Sequence, residues 1–538
     1  MGKRKKKTND KKLMIDNQVN LKEDKNISLD KMKKYGKRFS LLFLIWICIF
    51  AIGLVNNYLK NDTFYTIKIV KFILNNGIDM MDHFSFHTGL KYTYPHWLYD
   101  VFIYVIYKIG GLRGLYLSSI GIFGVLLIIV FKVNKKICEK TVVAAFATFI
   151  CSLAISGFVT ARAQLVSFLL FALEIYFIED FLKNKKKSDV VGLFIISLLL
   201  CNIHVAVWPF YFIIYLPYLA EYIISFIWSK IRFKKDNKFY KFINSKFVFE
   251  RNKNIKYLFI IMIFSLLTGF ITPIGDTPFT YLIKTMMGNS QSYIQEHHMI
   301  SWKESPFTII IAGETIFLVL ISKVKLRDFF MIAGLVLMSI VSIRHLSLLS
   351  LIGTICFGRV FAMFLNDYNF DVDKMLLPFF YKRKIVIISF ALVIIITGVG
   401  LYFHLRDNYV EEDFYPVEAV KYLKENEDIS KMRIFNDYNF GSYLLYNDIP
   451  VFIDSRADLY TKEFSGFDYD ILDDYHFIMN NYQEKFDFYG ITHILVYKEE
   501  NSLYQVLKSN SDYKLLYEDD YFVLYKKIGD SGLRVTFG

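Results

Sequence analysis

Residues 405–538 contain no cysteine, and the five cysteines of the 538-residue chain (Cys48, Cys138, Cys151, Cys201 and Cys356) all lie in or beside apolar stretches. That distribution excludes a disulfide-stapled fold. No internal repeat of fixed period is visible, which excludes a solenoid or an array. The first long apolar run exceeds a signal-peptide core and leads into Asn56, Asn57 and Tyr58 without a small-residue cleavage pattern. It is therefore expected to stay in place as a signal anchor. Residues 405–538 are also short of positive charge, with 14 Lys and Arg against 26 Asp and Glu, whereas residues 1–404 hold 50 against 25. The net charge of +13 is thus not spread over one basic surface, and no nucleic-acid partner is expected.

What the chain has is apolar length. Hydrophobic residues make up 54% and aromatic residues 18%, and the mean hydropathy is +0.33. A soluble fold of this size could not bury that much apolar surface, so the bilayer must be part of the solvent. Runs such as Phe39 to Leu59 and Ile385 to Leu401 approach or reach the roughly 20 residues that cross a hydrocarbon core. The pattern predicts about eleven spans, near residues 39–59, 112–131, 141–158, 164–181, 189–203, 209–228, 257–273, 307–322, 328–342, 345–365 and 384–404. Placing the basic N-terminal tail, residues 1–38, in the cytoplasm puts the lysine-rich loops at 132–140, 183–187, 230–256, 323–327 and 382–384 inside as well. The aromatic stretch Trp97 to Tyr107 is then an interfacial helix or a bent extension of the second span.

An odd number of spans leaves residues 405–538 outside. There the long apolar runs give way to a helix at Pro416 to Asn426 and strands at Arg433 to Asn436, Pro450 to Asp454 and His493 to Tyr497. A closing pair follows around Tyr513 to Leu516 and Tyr521 to Tyr525. The expectation is an α-helical polytopic membrane protein, residues 39–404, with a soluble extracytoplasmic α/β domain at its C-terminus.

Polar and ionisable residues collect on the expected outer side, chiefly in the loops 60–96 and 274–306. The first of these carries an amphipathic stretch, Phe64 to Leu74, expected to lie against the membrane, and then Asp79, Asp82, His83, Ser85 and His87. A carboxylate here, Asp82 or Asp79, is suited to act as a general base or to hold a divalent cation, Mg or Mn. Candidate metal ligands are Asp82, His83, His87, Glu296 and His297, a set that selects no single metal. Arg162 and Arg344 stand at outer span ends, where a guanidinium can hold a phosphate through paired hydrogen bonds. Gln164, His204, His345 and Trp302 are the polar and stacking residues grouped with them as substrate-binding candidates.

This arrangement resembles the GT-C superfamily of polytopic glycosyltransferases that use polyprenyl-phosphate sugars. The C-terminal segment around Asn436, Tyr438 and Gly441, leading to Asp454, Arg456 and Asp458, looks like a segment of bacterial membrane proteins related to that superfamily. In layout it is similar to the WWDYG region of oligosaccharyltransferase catalytic subunits. Both tryptophans are missing, so sequon recognition is not carried over. The resemblance implies transfer of a sugar from a lipid-linked donor, among membrane lipids, to an envelope glycan or protein acceptor. It assigns Asp82 or Asp79 as base or metal partner and Arg162 and Arg344 to the lipid phosphate. Asn436, Tyr438, Gly441, Asp454 and Arg456 form a possible acceptor site. A transporter or flippase, or a non-catalytic envelope assembly protein, are the rival readings; convergence of first-loop carboxylates and outer arginines on one cavity favours the enzyme.

Overall fold

The computed structural model describes residues 29–231, 237–288, 293, 306–404, 410, 412–499 and 502–528. Each apolar run forms a helix, because in hydrocarbon a segment must satisfy its own backbone N–H and C=O groups. In order these are α1 (Leu29–Ile52), α2 (Asn61–Asn76), α3 (Trp97–Cys138), α4 (Thr141–Ile155), α5 (Ala163–Asn184), α6 (Lys187–Ile203) and α7 (Trp208–Lys230). They continue as α8 (Ile255–Ser265), α9 (Thr277–Met287), α10 (Pro306–Ile321), α11 (Leu326–Val341), α12 (Ile343–Asp367) and α13 (Arg383–His404). Among the described residues, six helical segments are long and apolar enough to cross a bilayer. The chain is a polytopic helical membrane protein. The other expected spans also fold as helices, but they are shorter or carry several charges, as α5 does with Glu174, Glu179, Asp180 and Lys183.

Two boundaries differ from expectation for local reasons. The first helix begins at Leu29, ten residues before the apolar run, since nothing in the basic stretch up to Arg38 breaks a helix. The aromatic stretch from Trp97 is the first part of α3, bent from the apolar remainder at Gly111, whose φ of 59° and ψ of −154° are non-helical. Glycine adopts that backbone without a side-chain clash. The aromatic stretch is thus a bent extension of the following helix.

The C-terminal domain is built on a four-stranded sheet with strand order β1-β2-β4-β3, taking β1 as Ile434–Asn436, β2 as His493–Tyr497, β3 as Tyr513–Glu518 and β4 as Phe522–Lys527. β1 and β2 pair parallel, and the remaining pairs are antiparallel. The expected strand at Pro450 to Asp454 is absent. Val451 alone bridges to Ile434 and to Ser85 of the first loop. Next to it the Asn436 amide takes the place of ladder bonds, donating to the Ile453 carbonyl at 2.8 Å and accepting from the Phe452 N–H at 3.0 Å. Residues 450–454 are in this way sewn to the sheet by a side chain.

The amphipathic face of α2 does not rest on the membrane. It is buried by the domain, where the Phe64 ring meets Tyr415, Tyr443 and Tyr446 at centroid distances of 5.1, 5.3 and 5.5 Å. A short helix, α14 (Gly441–Tyr446), supplies two of those rings. The first loop and the domain thereby share one hydrophobic core, including Phe64, Tyr94, Ile434 and Phe452, separate from the core of the bundle. Burial of large aromatics supplies most of such a contact's stabilisation.

Gly441 lets α14 close on this core: a Cβ there would stand 2.1 Å from the Ile453 carbonyl oxygen and 2.8 Å from the Asp454 Cα. Backbone cannot yield as a side-chain tip does. Gly441→Ala is expected to destabilise the domain by about 2 kcal/mol or more, read as a lowered melting temperature of the purified protein in detergent.

Candidate functional site

The turn between α4 and α5, the start of α2 and the start of α12 meet at the end of the bundle that carries the domain. Arg162, the residue before α5, places its Nη2 2.6 Å from the Asp62 Oδ2 in the first turn of α2. The Thr63 hydroxyl donates to the Ala161 carbonyl at 3.1 Å and fixes that approach. Arg344 leads into α12. Among the described residues it has no carboxylate partner.

Two cavities adjoin here. One, of about 530 Å3, lies between the first loop, α9 and the domain; the other, of about 370 Å3, reaches down among the helices. Asp62, Arg162, Arg344, Tyr65, His96 and Tyr281 line both. The deeper cavity also exposes Gln164, His204 and His345. Gln164 donates to the Ser347 hydroxyl at 3.1 Å, and His204 Nδ1 lies 2.9 Å from the Ser167 hydroxyl. At its lower end the deeper cavity shares Phe210 and Leu348 with an apolar groove of about 260 Å3 between α7 and α11. His96 shares a hydrogen bond with the Tyr65 hydroxyl at 3.3 Å. Removal from water, then the charges of Arg344 and Arg162, lower its pKa to about 3. It is a neutral imidazole near pH 7, and the positive field comes from the arginines.

The first-loop residues singled out by sequence sit elsewhere. Asp79 is at the surface, 2.6 Å from His83 Nε2. Asp82 lines neither cavity. It is buried, accepting from the Ser85 hydroxyl at 2.6 Å and from Arg456 Nη1 at 2.6 Å. Arg456 is in turn held by Asp454 through Nε at 2.9 Å and Nη2 at 2.7 Å, and the Tyr460 hydroxyl donates to Asp454 at 2.5 Å. Burial opposes ionisation of Asp82, but Arg456 and Ser85 more than offset it and hold the carboxyl below its usual value. This is a buried ion-pair network joining loop to domain.

Of the acceptor-site candidates, Tyr438 and Arg456 line the upper cavity, together with Asn439, Ser455 and Asp458. Asn436, Gly441 and Asp454 serve packing and hydrogen bonding behind its wall. Of the candidate metal ligands, the three that are described, Asp82, His83 and His87, do not converge. Asp82 is engaged by Arg456, His83 by Asp79, and His87 Nε2 by the Phe452 carbonyl at 2.8 Å, where burial lowers the His87 pKa to about 4. Glu296, His297 and Trp302 lie outside the described residues. Among the described residues no three His, Cys, Asp or Glu side chains group as a metal site.

Asp62 is the residue sequence reasoning passes over. One signal was available: it is the only acidic residue between Asp30 and Asp79, and it opens the helix that follows the first span.

The fold is shared with two solved membrane-protein structures. The chain is similar to the archaeal oligosaccharyltransferase AglB from Archaeoglobus fulgidus, in complex with an inhibitory peptide and a dolichol-phosphate, with TM-score 0.55 and 9% identity over 86% of this chain and 69% of that one. It is similar to ArnT from Cupriavidus metallidurans bound to undecaprenyl phosphate, with TM-score 0.51 and 9% identity over 91% of this chain and 98% of that one. No protein-family model matches the sequence, and no curated protein sequence does.

Asp82→Asn leaves the Arg456–Asp454 pair intact and removes the charge of the second carboxylate, and weakening a charge-assisted hydrogen bond costs about 1.5–3 kcal/mol. The expected result is a lowered melting temperature and easier proteolysis between the first loop and the domain. The Asp82 carboxyl titrates below the roughly 3.9 of a free aspartate, so its stabilisation is complete above that pH and is lost as the pH falls through the lower folded value. Melting curves taken between pH 7 and pH 3 should show this loss in the native protein and little of it in Asp82→Asn.

Proposed function

We propose that this chain is a glycosyltransferase that moves a sugar from a polyprenyl-phosphate carrier to a cell-envelope acceptor at the extracytoplasmic membrane face. The observation that carries the reading is the meeting of Asp62, Arg162 and Arg344 in the shared lining of a polar cavity and a deeper one, which in turn shares Phe210 and Leu348 with an apolar groove. Two guanidiniums suit a phosphate, since the planar fork pairs with its oxygens. The groove between α7 and α11, lined by Ile213, Leu216, Met331 and Leu335, suits a prenyl chain. AglB and ArnT, whose fold this is, are described with dolichol-phosphate and undecaprenyl phosphate.

In this scheme the acceptor hydroxyl enters from the upper cavity. Its oxygen forms a bond to the sugar's anomeric carbon as the bond from that carbon to the phosphate oxygen breaks. The proton goes to the Asp62 carboxylate, and the lipid phosphate leaves with its charge held by Arg162 and Arg344. General-base assistance contributes about 10²- to 10⁴-fold to rate, and preorganised cations stabilise the charge that develops on the leaving oxygen.

Asp62→Asn is expected to lower transfer by at least about 100-fold with normal expression and melting temperature, while Asp62→Glu retains part of the activity. Arg344→Lys should weaken donor binding by about tenfold or more, since a lost charge-assisted hydrogen bond costs about 1.5–3 kcal/mol. Full activity in both Asp62→Asn and Arg344→Lys would dismiss the site. The orientation, supported by the loop charges, is tested with a tag at Gly538: protease added to intact cells should remove it, and protection of the tag would reverse the placement.

A further inference from the structure

The wall of the upper cavity narrows the acceptor, and this step rests on the transferase reading above. Its ionisable groups fall into two sets. Asp62 is tied to Arg162, Asp458 accepts from the Tyr281 hydroxyl at 2.5 Å, and Arg456 is neutralised by two aspartates. Lys60 and Lys91 line the same cavity, and neither has a carboxylate partner among the described residues. The Lys60 ammonium stands 5.1 Å from the Tyr58 ring centroid, a contact that leaves its charge uncancelled. With Arg344 committed to the donor phosphate, the acceptor side presents, among the described residues, two exposed lysines without a carboxylate partner and a single carboxylate outside the ion pairs, Asp458, bonded to the Tyr281 hydroxyl.

The rest of the wall is aromatic and amide-rich. Tyr438 is pinned from both sides, its hydroxyl donating to the Ser455 carbonyl at 3.1 Å and its N–H donating to the Tyr475 hydroxyl at 3.0 Å. His476 stacks on Tyr293 with centroids 4.2 Å apart and planes 13° from parallel. Fixed flat rings interleaved with amides and hydroxyls, here Asn439, Ser455 and Thr93, match a sugar, whose C–H faces lie on rings while its hydroxyls bond to polar groups. One mode of peptide binding adds a strand to a free sheet edge. Beside β1 that edge is already taken by Val451 and then by Ser85 of the first loop.

We infer that the acceptor is an anionic saccharide, its ring against the Tyr438 and Tyr475 wall and its phosphate or carboxylate group held by Lys60 and Lys91.

The test uses the full chain in detergent and four probes: a neutral oligogalactose, a trigalacturonate, a phosphorylated oligohexose and a triglutamate, each titrated calorimetrically. One or both anionic saccharides should bind at least tenfold more tightly than the neutral sugar, and which of them does so identifies the anionic group. In Lys60→Gln/Lys91→Gln that preference should disappear, with the melting temperature confirming that the variant is folded. Tyr438→Ala should weaken all three sugars together. Equal binding of neutral and anionic sugars would overturn the inference, as would triglutamate binding as tightly as the saccharides, or a preference that survives in the double lysine variant. Undecaprenyl phosphate titrated into the native protein and Arg344→Gln separates the two levels. If it binds through Arg344 while anionic saccharides gain nothing, the acceptor inference fails and the transferase reading stands. If it does not bind, the transferase reading fails.

Discussion

Arg456 is a buried guanidinium on the domain: Asp454 grips it from one side, and the first loop delivers Asp82 to the Nη1 donor that Asp454 does not reach. An isolated charge at that depth would be prohibitive, so the pair is cooperative: loop and domain each need the other to be folded. The constraint propagates outward. With Asp82 anchored, Ser85 reaches Val451 and extends the edge of the sheet. Tyr94 donates to the Met81 carbonyl at 2.9 Å and closes the loop on itself. α2 is held between α3 and α14 with Phe64 in the domain's core, and its first turn then sets Asp62 against Arg162. The position of the proposed base therefore depends on an ion pair that takes no part in the chemistry.

That dependence explains why the sequence points to Asp79 and Asp82 and not to Asp62, which lines both cavities. Asp79 and Asp82 stand among histidines and a serine in the most polar part of the loop, the local composition that catalytic and metal sites share. A structural ion pair shares it too, and the partner that settles the matter, Arg456, is 374 residues away. Asp62 has only lysine, asparagine and threonine beside it in the chain; its meaning comes from Arg162, brought near by the packing of α2 on the α4–α5 turn. Sequence periodicity is a local signal and long-range pairing is not. The helices were legible because hydrocarbon imposes a length and a composition on each one separately. So were Arg162 and Arg344, since a charge at the end of an apolar run is visible without knowledge of its partner. The helix Val417–Asn426 and the strands of the sheet also follow their local patterns. Pro450 to Asp454 failed as a strand because the Asn436 side chain, a single tertiary contact, supplied the bonds that a neighbouring strand would have given.

The two ends of the bundle treat charge differently. At the end away from the domain, Arg327 is buried beside Glu250 and Glu221, at 2.7 and 3.4 Å, and Arg359 beside Glu179 and Asp328, at 2.5 and 3.3 Å. Each of these cations is matched by carboxylates, and none of the six lines either of the two upper cavities. Such matching is what low dielectric demands of a charge with a purely structural task. At the domain end Arg344, Lys60 and Lys91 have no carboxylate partner among the described residues, and the neighbouring histidine, His96, is held neutral. A half-buried cation facing a cavity, as Arg344 is, costs stability unless an anion visits it, whereas the exposed Lys60 and Lys91 stay solvated. A half-buried Arg344 without a carboxylate among the described residues, in a protein that matches its buried Arg327, Arg359 and Arg456, places the demand for negative charge there on a ligand rather than on the fold.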